Sequence, residues 1–155
     1  MININPIDNV NNTIFRQMIF AYWNELMPKA QVLQTQEKRE EYFKSEFASG
    51  VVFGAWADVK LVGYIHLQVN DDVGSLDGIY IIPEARRQGN GTRLMNWAFA
   101  YFDQLGIGQI DIYVRRDNPK AKAFYEALGF GVAGYRMRLY RENGQILPGV
   151  LSSDL

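Results

Sequence analysis

The sequence predicts a mixed α/β fold in a single domain that spans residues 1–155. The length is that of one ordinary domain, and neither an internal repeat nor a linker divides the chain. Hydrophobic residues make up 48% and charged residues 21%, which is the balance of a folded protein rather than of a disordered one. The spacing of the apolar residues predicts two helices first, and then strands interrupted by two more helices.

Two amphipathic helices are predicted in the first third of the chain. Residues 13–25 carry apolar side chains at helical spacing, and Pro28 follows them closely. Residues 35–47 form the second predicted helix, in which Thr35 is the N-cap and Gly50 follows the last turn. Both helices therefore precede the predicted hairpin.

Three strands are predicted next. The stretches VVFGAWA at 51–57 and LVGYIHLQV at 61–69 predict the two strands of a hairpin around a turn at residues 58–60. A second turn at residues 70–75 leads into a third strand at residues 76–82. Short strands joined by tight turns predict antiparallel neighbours in one sheet.

Helices and strands alternate in the second half of the chain. The pattern predicts a helix at 91–105, a strand at 109–114, a helix at 119–128 closed by Gly129, and a last strand at 134–141. The apolar side of the first of these helices is predicted to hold Leu94, Trp97, Ala98, Tyr101, Phe102 and Leu105. The strand–helix–strand crossover makes the strand at 109–114 parallel to the strand at 76–82.

The last residues, 142–155, allow two interpretations. Asn143-Gly144 is a strong signal for a two-residue hairpin turn, which would extend the last strand. The tail would then pack on a second subunit of a homodimer through Ile146, Leu147, Val150 and Leu151, or it would fray. The sequence leaves both interpretations open.

The composition excludes several classes of function. The formal net charge of −1 and the sequence pI near 5.8 argue against a nucleic-acid partner and against an anionic membrane surface. The chain has no cysteine, so neither a disulfide framework nor a thiolate site is expected, and no metal site is predicted. No leader segment or membrane-length apolar run is visible, which makes a cytoplasmic location the default expectation.

A glycine-rich turn between a predicted strand and a predicted helix is the main candidate for a binding site. In IIPEARRQGNGTRL, Gly89 and Gly91 would let an anion approach backbone N–H groups at a helix N-terminus, and Arg86 and Arg87 add positive charge. The alternative is a tight turn with surface arginines. Two common phosphate-binding patterns fail here: the triphosphate loop lacks its Lys-Ser/Thr pair, and the dinucleotide fingerprint needs a small residue where Leu94 stands.

Two sequence blocks carry a family resemblance. The first has an arginine or glutamine, then glycine three residues later and glycine or alanine two residues after that, which Arg86, Gly89 and Gly91 match. The second block is matched by Asn118, Ala121, Tyr125, Gly129 and Phe130. In both blocks the chain resembles the GNAT superfamily of N-acetyltransferases, over roughly residues 51–140. The resemblance implies a GNAT-like acyl-coenzyme A N-acyltransferase fold, with a mostly antiparallel central sheet, a splayed parallel strand pair and about four flanking helices.

The resemblance also implies a site for acetyl-coenzyme A as cosubstrate. Backbone N–H groups from Arg87 to Thr92 would hold the pyrophosphate, and the splayed strands would leave unpaired backbone groups for the pantetheine arm and the acetyl carbonyl. Asn118 would contact the cofactor near the thioester, a role compatible with capping a helix. The predicted cofactor-binding residues are Ile79, Tyr80, Ile81, Arg86, Arg87, Gln88, Gly89, Asn90, Gly91, Thr92 and Asn118.

The predicted catalytic residues are Tyr125 and Asp77. Acetyl transfer needs a base for the amine, a donor for the oxyanion and an acid for the leaving thiolate. Tyr125 is predicted to be the acid, with a purely structural aromatic as the alternative, and Asp77 is predicted to be the base, with a solvated strand-edge carboxylate as the alternative. His66 has a suitable reference pKa but is expected to be a half-exposed histidine of the sheet.

The predicted function is therefore that of a cytoplasmic N-acetyltransferase, which moves an acetyl group from acetyl-coenzyme A to a primary amine of a small molecule or peptide by direct attack in a ternary complex. Two alternatives stay open: a non-catalytic acyl-coenzyme A-binding regulator or scaffold of the same fold, and a nucleotide-binding module unrelated to acyl transfer. The resemblance implies that the loop at 23–36 selects the amine. Tyr113 stands where members that acetylate protein N-termini often have glutamate, which counts against such a substrate without excluding it.

Overall fold

The computed structural model describes residues 1–26, 35–139 and 141–146, and the chain forms two compact units, Met1–Ile112 and Tyr113–Leu155. The single domain expected from the sequence stays a prediction.

A five-stranded sheet organises the first unit. Its strands lie in chain order, β1 to β5, and every neighbouring pair is antiparallel except β4 and β5, which are parallel. The predicted mostly antiparallel sheet with one parallel pair is confirmed. The strands are β1 Asn3–Pro6, β2 Val51–Ala57, β3 Lys60–Asn70, β4 Val73–Ile81 and β5 Gln109–Ile112.

The described residues contain four helices, as the sequence predicts. They are α1 Thr13–Leu26, α2 Gln36–Glu46, α3 Asn90–Gln104 and α4 Pro119–Ala127. The predicted cap is also present, because the Thr35 side chain accepts a hydrogen bond from the backbone N–H of Lys38. None of these helices combines the length and the apolar character that crossing a membrane requires.

Helices α1 and α2 cover one face of the sheet with a largely aromatic core. Phe15 of α1 meets Tyr64 of β3 edge to face at 5.4 Å, and Phe43 of α2 lies 6.3 Å from Phe15. These rings are almost completely buried, and burying each one contributes roughly 1.5–3 kcal/mol. The core extends along β4 to Tyr80, which places the α1–α2 layer directly over the strand that precedes the glycine-rich turn.

Helix α3 packs on the opposite face. Its buried residues are Leu94, Met95, Ala98 and Phe102, and the ring of Phe102 lies so close to Gly74 of β4 that a Cβ there would approach it to 2.6 Å. Trp97 and Leu105, which the sequence places on the apolar side, are 40% and 52% exposed. Trp97 still packs edge to face with Phe53 of β2 at 5.7 Å, and Met95 is buried although the sequence did not place it on that side.

One strand and several element boundaries differ from the prediction. Strand β1 was not predicted, because its four residues are mostly exposed and polar and it forms only by pairing with β2. Helix α3 begins one residue earlier than predicted, at Asn90. Strand β4 begins at Val73, so the predicted turn at 70–75 contracts, and β5 ends at Ile112 instead of residue 114.

The predicted last strand at residues 134–141 is wrong for the residues that the structure describes. Tyr135, Met137 and Leu139 alternate as in a strand, but they are exposed and residues 131–139 have no regular structure. A small hairpin follows instead, β6 Arg141–Glu142 and β7 Gln145–Ile146, around the predicted Asn143-Gly144 turn. Residues 147–155, which carry most of the proposed subunit contact, lie outside the described residues.

Candidate functional site

The turn between β4 and α3 is built by residues with unusual backbone angles. A short 3-10 turn at Pro83–Ala85 is followed by Arg87 and Gly89, which have positive φ angles of 61° and 77°. Gly89 is the N-cap of α3. The buried side chain of Asn90 donates from Nδ2 to the carbonyl of Ala85 at 2.9 Å, so it holds the turn from inside.

Several backbone N–H groups of this turn point at one region of space. The first backbone bond of α3 runs from the N–H of Arg93 to the carbonyl of Gly89 at 3.0 Å. Within the described residues, the N–H groups from Gly89 to Thr92 donate to no protein acceptor. A Cβ added at Gly89 would meet nothing within 4 Å, so there is open space beside this residue at the start of α3. The turn therefore has the donors, the helix dipole and the room that a phosphate group requires.

Strand β4 loses its parallel neighbour halfway along. Pairing with β5 runs from Val73 opposite Gln109 to Leu76 opposite Ile112, and among the described residues β4 continues to Ile81 paired with β3 alone. Gly78 pairs with His66 and Leu76 with Leu67, which makes Asp77 the extra residue of a β-bulge. Among the described residues, the hydrogen-bonded pairing of β4 with β5 therefore ends just before Asp77.

The antiparallel pairing with β3 decides which backbone groups of β4 face the open edge. The N–H of Ile82 donates to the carbonyl of Val62 at 2.9 Å, and alternate residues of such a pair turn both groups to the partner. Tyr80 therefore bonds to β3, while Ile79 and Ile81 turn their N–H and C=O groups to the open edge. The expectation of unpaired backbone groups at Tyr80 is wrong, because the strand alternates.

Arg86 and Gln88 direct their side chains to the protein. Arg86 donates from Nε to the carbonyl of Ile81 at 2.8 Å, and its Nη2 lies 2.6 Å from Oε1 of Glu25. Gln88 donates from Nε2 to the carbonyl of Glu84 at 3.0 Å. The positive charge expected from Arg86 is thus matched by Glu25, whereas the Arg87 side chain is exposed.

Tyr80 completes a group of three side chains with Arg86 and Glu25. Its hydroxyl donates to Oε2 of Glu25 at 2.7 Å, and the Arg86 guanidinium lies 5.4 Å from the centre of its ring. Burial, together with the hydrogen bond to Glu25, raises the pKa of Tyr80 to about 12. The phenol therefore keeps its proton and remains a donor to Glu25 at neutral pH.

Asp77 lies in a polar cluster on the α1–α2 face of the sheet. Its Oδ1 accepts a hydrogen bond from the Ser75 hydroxyl at 2.8 Å, and its Oδ2 accepts one from the Gln68 amide. The side chain is exposed, so a substrate can reach it. Both carboxyl oxygens therefore have a protein donor, which fixes the orientation of the side chain.

Glu46 of α2 is a second carboxyl group that interacts with Asp77. Burial, and secondarily the negative charge of Asp77, raise the pKa of Glu46 to about 7. Its Oε2 is buried and has no hydrogen-bond partner among the described residues. The sequence analysis did not single out Glu46, although it follows buried Phe43 by three residues and so lies on the inner side of α2.

His66 is buried in the sheet, and the expectation that it is half-exposed is wrong. Its exposed fraction is 0%, because the residues that follow α2 cover this part of β3. The Nε2 atom donates to the carbonyl of Ser49 at 2.8 Å, and the ring packs on Phe47 at 5.0 Å. The structure therefore gives His66 a packing role.

The second unit contains the other two predicted site residues. Asn118 caps α4, since its Oδ1 accepts from the N–H of Ala121 at 3.1 Å, as the sequence predicted. Tyr125 is 9% exposed and lies edge to face with Phe124 at 5.3 Å and with Phe130 at 5.7 Å. Burial raises the pKa of Tyr125 to about 12, so the phenol is protonated at neutral pH.

Comparison with known proteins gives consistent results. The model of the acetyltransferase (GNAT) family matches residues 16–130. Mycothiol acetyltransferase of Catenulispora acidiphila is 28% identical over 66% of this chain and 35% of its own length. Spermidine N(1)-acetyltransferase of Thermoplasma acidophilum is 30% identical over 61% of this chain and 65% of its own. Ribosomal protein bS18-alanine N-acetyltransferase of Escherichia coli K12 is 32% identical over 52% and 55%. The chain thus spans about a third to two thirds of the length of these relatives.

Solved structures share the whole fold. The PaiA N-acetyltransferase from Thermoplasma acidophilum, in complex with coenzyme A, superposes with a TM-score of 0.69 at 18% identity and covers 94% of this chain and 96% of its own. The ribosomal-protein-S18-alanine N-acetyltransferase from Escherichia coli gives a TM-score of 0.66 at 24% identity, with 94% and 88% covered. At these identities the likeness shows the fold, and it confirms the predicted fold class.

Proposed function

The chain belongs to the acetyltransferase (GNAT) family, and from that premise we propose that it transfers an acetyl group from acetyl-coenzyme A to a primary amine of a small molecule or peptide. One observation carries the proposal: donor-rich backbone at the start of α3 adjoins the unpaired edge of β4. The names of the relatives support an amine acceptor, since they include a polyamine and the alanine of a ribosomal protein.

The first part of the proposal concerns the coenzyme. Backbone N–H groups from Gly89 to Thr92 donate to the pyrophosphate, and the absence of a side chain at Gly89 leaves room for it. The N–H and C=O groups of Ile79 and the N–H of Ile81 form hydrogen bonds with the pantetheine arm. The arm thus takes the place of a neighbouring strand along this edge of β4. We retain Asn118 as a cofactor contact through its side-chain amide.

The second part concerns the reaction. The amine nitrogen forms a bond to the carbonyl carbon, and the C–S bond breaks with its electron pair staying on sulfur. An N–H of Ile79 or Ile81 stabilises the oxyanion that forms in between. Tyr125 donates a proton to the thiolate and is reprotonated from solvent. Burial raises its pKa to about 12, which keeps it protonated at neutral pH but makes it a weaker acid than an exposed tyrosine.

The third part concerns the proton that leaves the amine. We assign its removal to Asp77 and Glu46 together, because the negative charge of Asp77 acts on the carboxyl group of Glu46. The side chain of Asp77 is exposed, so its carboxyl group can attract the amine from solution. Glu46 exchanges a proton close to neutral pH, since its pKa is about 7. The pair therefore offers both attraction for the amine and a place for its proton.

The test is thiol release from acetyl-coenzyme A in the presence of a panel of amines. The panel contains amino acids, polyamines, aminoglycosides and short peptides, and mass spectrometry identifies the acetylated product. Asp77→Asn is the matched variant, since it removes the charge and keeps the shape. We expect amine-dependent release with the wild-type chain and a loss in turnover of about 10–100-fold with Asp77→Asn at equal coenzyme affinity.

Two other results would favour the alternatives. Tight coenzyme binding without release for any amine would indicate a non-catalytic acyl-coenzyme A-binding protein. Adenosine nucleotides that bind as tightly as the full coenzyme would indicate a nucleotide-binding module, because the pantetheine arm would then contribute nothing.

A further inference from the structure

The carbonyl of Ile81 accepts a hydrogen bond from a side chain, whereas in a continuous sheet it would accept one from a neighbouring strand. It lies on the open edge of β4, five residues beyond the last pair with β5 at Leu76. A carbonyl in such a position needs a hydrogen-bond donor. Nε of Arg86 donates to this carbonyl at 2.8 Å, so the carbonyl has a partner although no strand pairs with this edge among the described residues.

Glu25 fixes the direction of the Arg86 side chain. One carboxylate oxygen of Glu25 lies 2.6 Å from Nη2 of Arg86, and the other accepts from the Tyr80 hydroxyl at 2.7 Å. The guanidinium also lies over the Tyr80 ring. Both oxygens of Glu25 are therefore engaged, and the Arg86 fork is held at two of its nitrogens, a rigid arrangement for a long side chain.

The positive charge of Arg86 is neutralised by its ion pair with Glu25. A guanidinium that pairs with a carboxylate at 2.6 Å attracts a phosphate less than an unpaired one does. Arg87 is exposed and its side chain forms no hydrogen bond or ion pair with the described residues, so its charge remains available. The two neighbouring arginines therefore differ in role: Arg86 is structural, and Arg87 can contact a ligand.

We propose that Glu25 is a positioning residue for coenzyme binding, which acts by holding Arg86 on the carbonyl of Ile81. The inference rests on the proposed function. Arg86, held by Glu25, donates to the carbonyl of Ile81 in place of a neighbouring strand. The N–H groups of Ile79 and Ile81 on the same edge therefore remain available to the pantetheine arm. The last turn of α1 thereby influences the coenzyme site through one ion pair.

The experiment measures calorimetric affinity for two probes, coenzyme A and 3′-phosphoadenosine 5′-diphosphate, which lacks the pantetheine arm. The variants are Glu25→Gln, Arg86→Lys and the two combined. Glu40→Gln is the control, because it breaks the Arg16–Glu40 ion pair of the same helical layer away from β4. We expect each single variant to weaken coenzyme A binding about tenfold, the double variant to lose no more than one single variant, and nucleotide binding to stay within about twofold.

Each contrary outcome has a separate meaning. If Arg86 binds phosphate directly, Glu25→Gln releases its charge and strengthens binding of both probes, which overturns the inference. Unchanged affinities in all variants overturn it as well, while the proposed function stands if the wild-type chain binds coenzyme A. Failure of the wild-type chain to bind coenzyme A overturns the proposed function and the positioning role together.

Discussion

Glu46 shows at the scale of one residue how burial changes chemistry. Its carboxyl group is removed from most solvent and lies in the field of Asp77, and the two effects raise its pKa from 4.5 to about 7. A raised pKa means that the folded chain binds this proton more tightly than the unfolded chain does. The resulting stabilisation is fully present below pH 4.5 and is lost as the pH rises through about 7.

We predict that Glu46→Gln stabilises the protein above neutral pH. The neutral amide replaces a carboxylate that is ionised in an unfavourable place, and the free energy of unfolding should rise by about 1–3 kcal/mol at pH 8.5 and hardly at all at pH 4.5. Urea unfolding at the two pH values measures this. Glu126→Gln on exposed α4 is the control, and an equal gain at both pH values would contradict the role of the proton.

Tyr125 supports a second prediction at this scale. Tyr125→Phe keeps the ring contacts with Phe124 and Phe130 and removes only the hydroxyl. We expect kcat to fall by about 10–1,000-fold with little change in coenzyme affinity, as for the loss of a positioned proton donor. Steady-state kinetics with the amine found above measures it. Tyr113→Phe, at an exposed tyrosine of the same unit, should be neutral, and an unchanged kcat in Tyr125→Phe would remove Tyr125 from the mechanism.

At the scale of an element, helix α3 offers a comparison between its two ends. Gly89 before its first turn and Gly106 after its last have positive φ angles of 77° and 71°, and a Cβ at either position would meet nothing within 4 Å. Their conformational requirements are therefore alike. Only Gly89 lies beside N–H groups without protein acceptors, because unpaired donors occur at the N-terminus of a helix.

We predict that Gly89→Ala and Gly106→Ala lower stability equally but differ in binding. A left-handed alanine costs about 1 kcal/mol in either variant. At Gly89 the methyl group also enters the space proposed for the pyrophosphate, so coenzyme affinity should fall about tenfold or more, with no change for Gly106→Ala. Thermal unfolding and calorimetry measure the two effects. Equal coenzyme affinity in both variants would count against the proposed phosphate contact.

At the scale of the whole molecule, β4 has an edge beyond Leu76 where no described strand pairs with it. Backbone groups of Ile79 and Ile81 face away from β3, and β5 stops pairing at Ile112. A ligand that binds only the folded chain and satisfies these groups must shift the folding equilibrium. Coenzyme binding should therefore appear as a gain in global stability.

We predict that coenzyme A at 100 times its Kd raises the free energy of unfolding by about 2.7 kcal/mol and the Tm by roughly 5–10 °C. Thermal unfolding monitored by circular dichroism at several ligand concentrations measures the shift. Gly89→Ala at the same coenzyme concentration serves as the control and should shift less. A wild-type Tm that does not depend on coenzyme concentration would contradict the proposed site.

The sequence alone determined those features of this protein that depend on residues close together in the chain. Apolar spacing predicted the four helices, and Thr35 and Asn118 were recognised as caps because a cap bonds to a backbone group three residues away. The glycines around Asn90 predicted the backbone turn before α3 for the same reason. Local steric effects and local hydrogen bonds depend only on residues that are close together in the chain, so the sequence suffices to predict them.

Only the tertiary structure decided the features that depend on distant residues. Glu25 comes from α1 to neutralise Arg86, and Asp77 meets Glu46 of α2, so the sequence could not reveal that one charge is paired and one pKa raised. Strand pairing likewise decided that Ile79 and Ile81, rather than Tyr80, face the open edge. Charge, burial and pairing depend on what surrounds a residue in space, and chain order does not specify those neighbours.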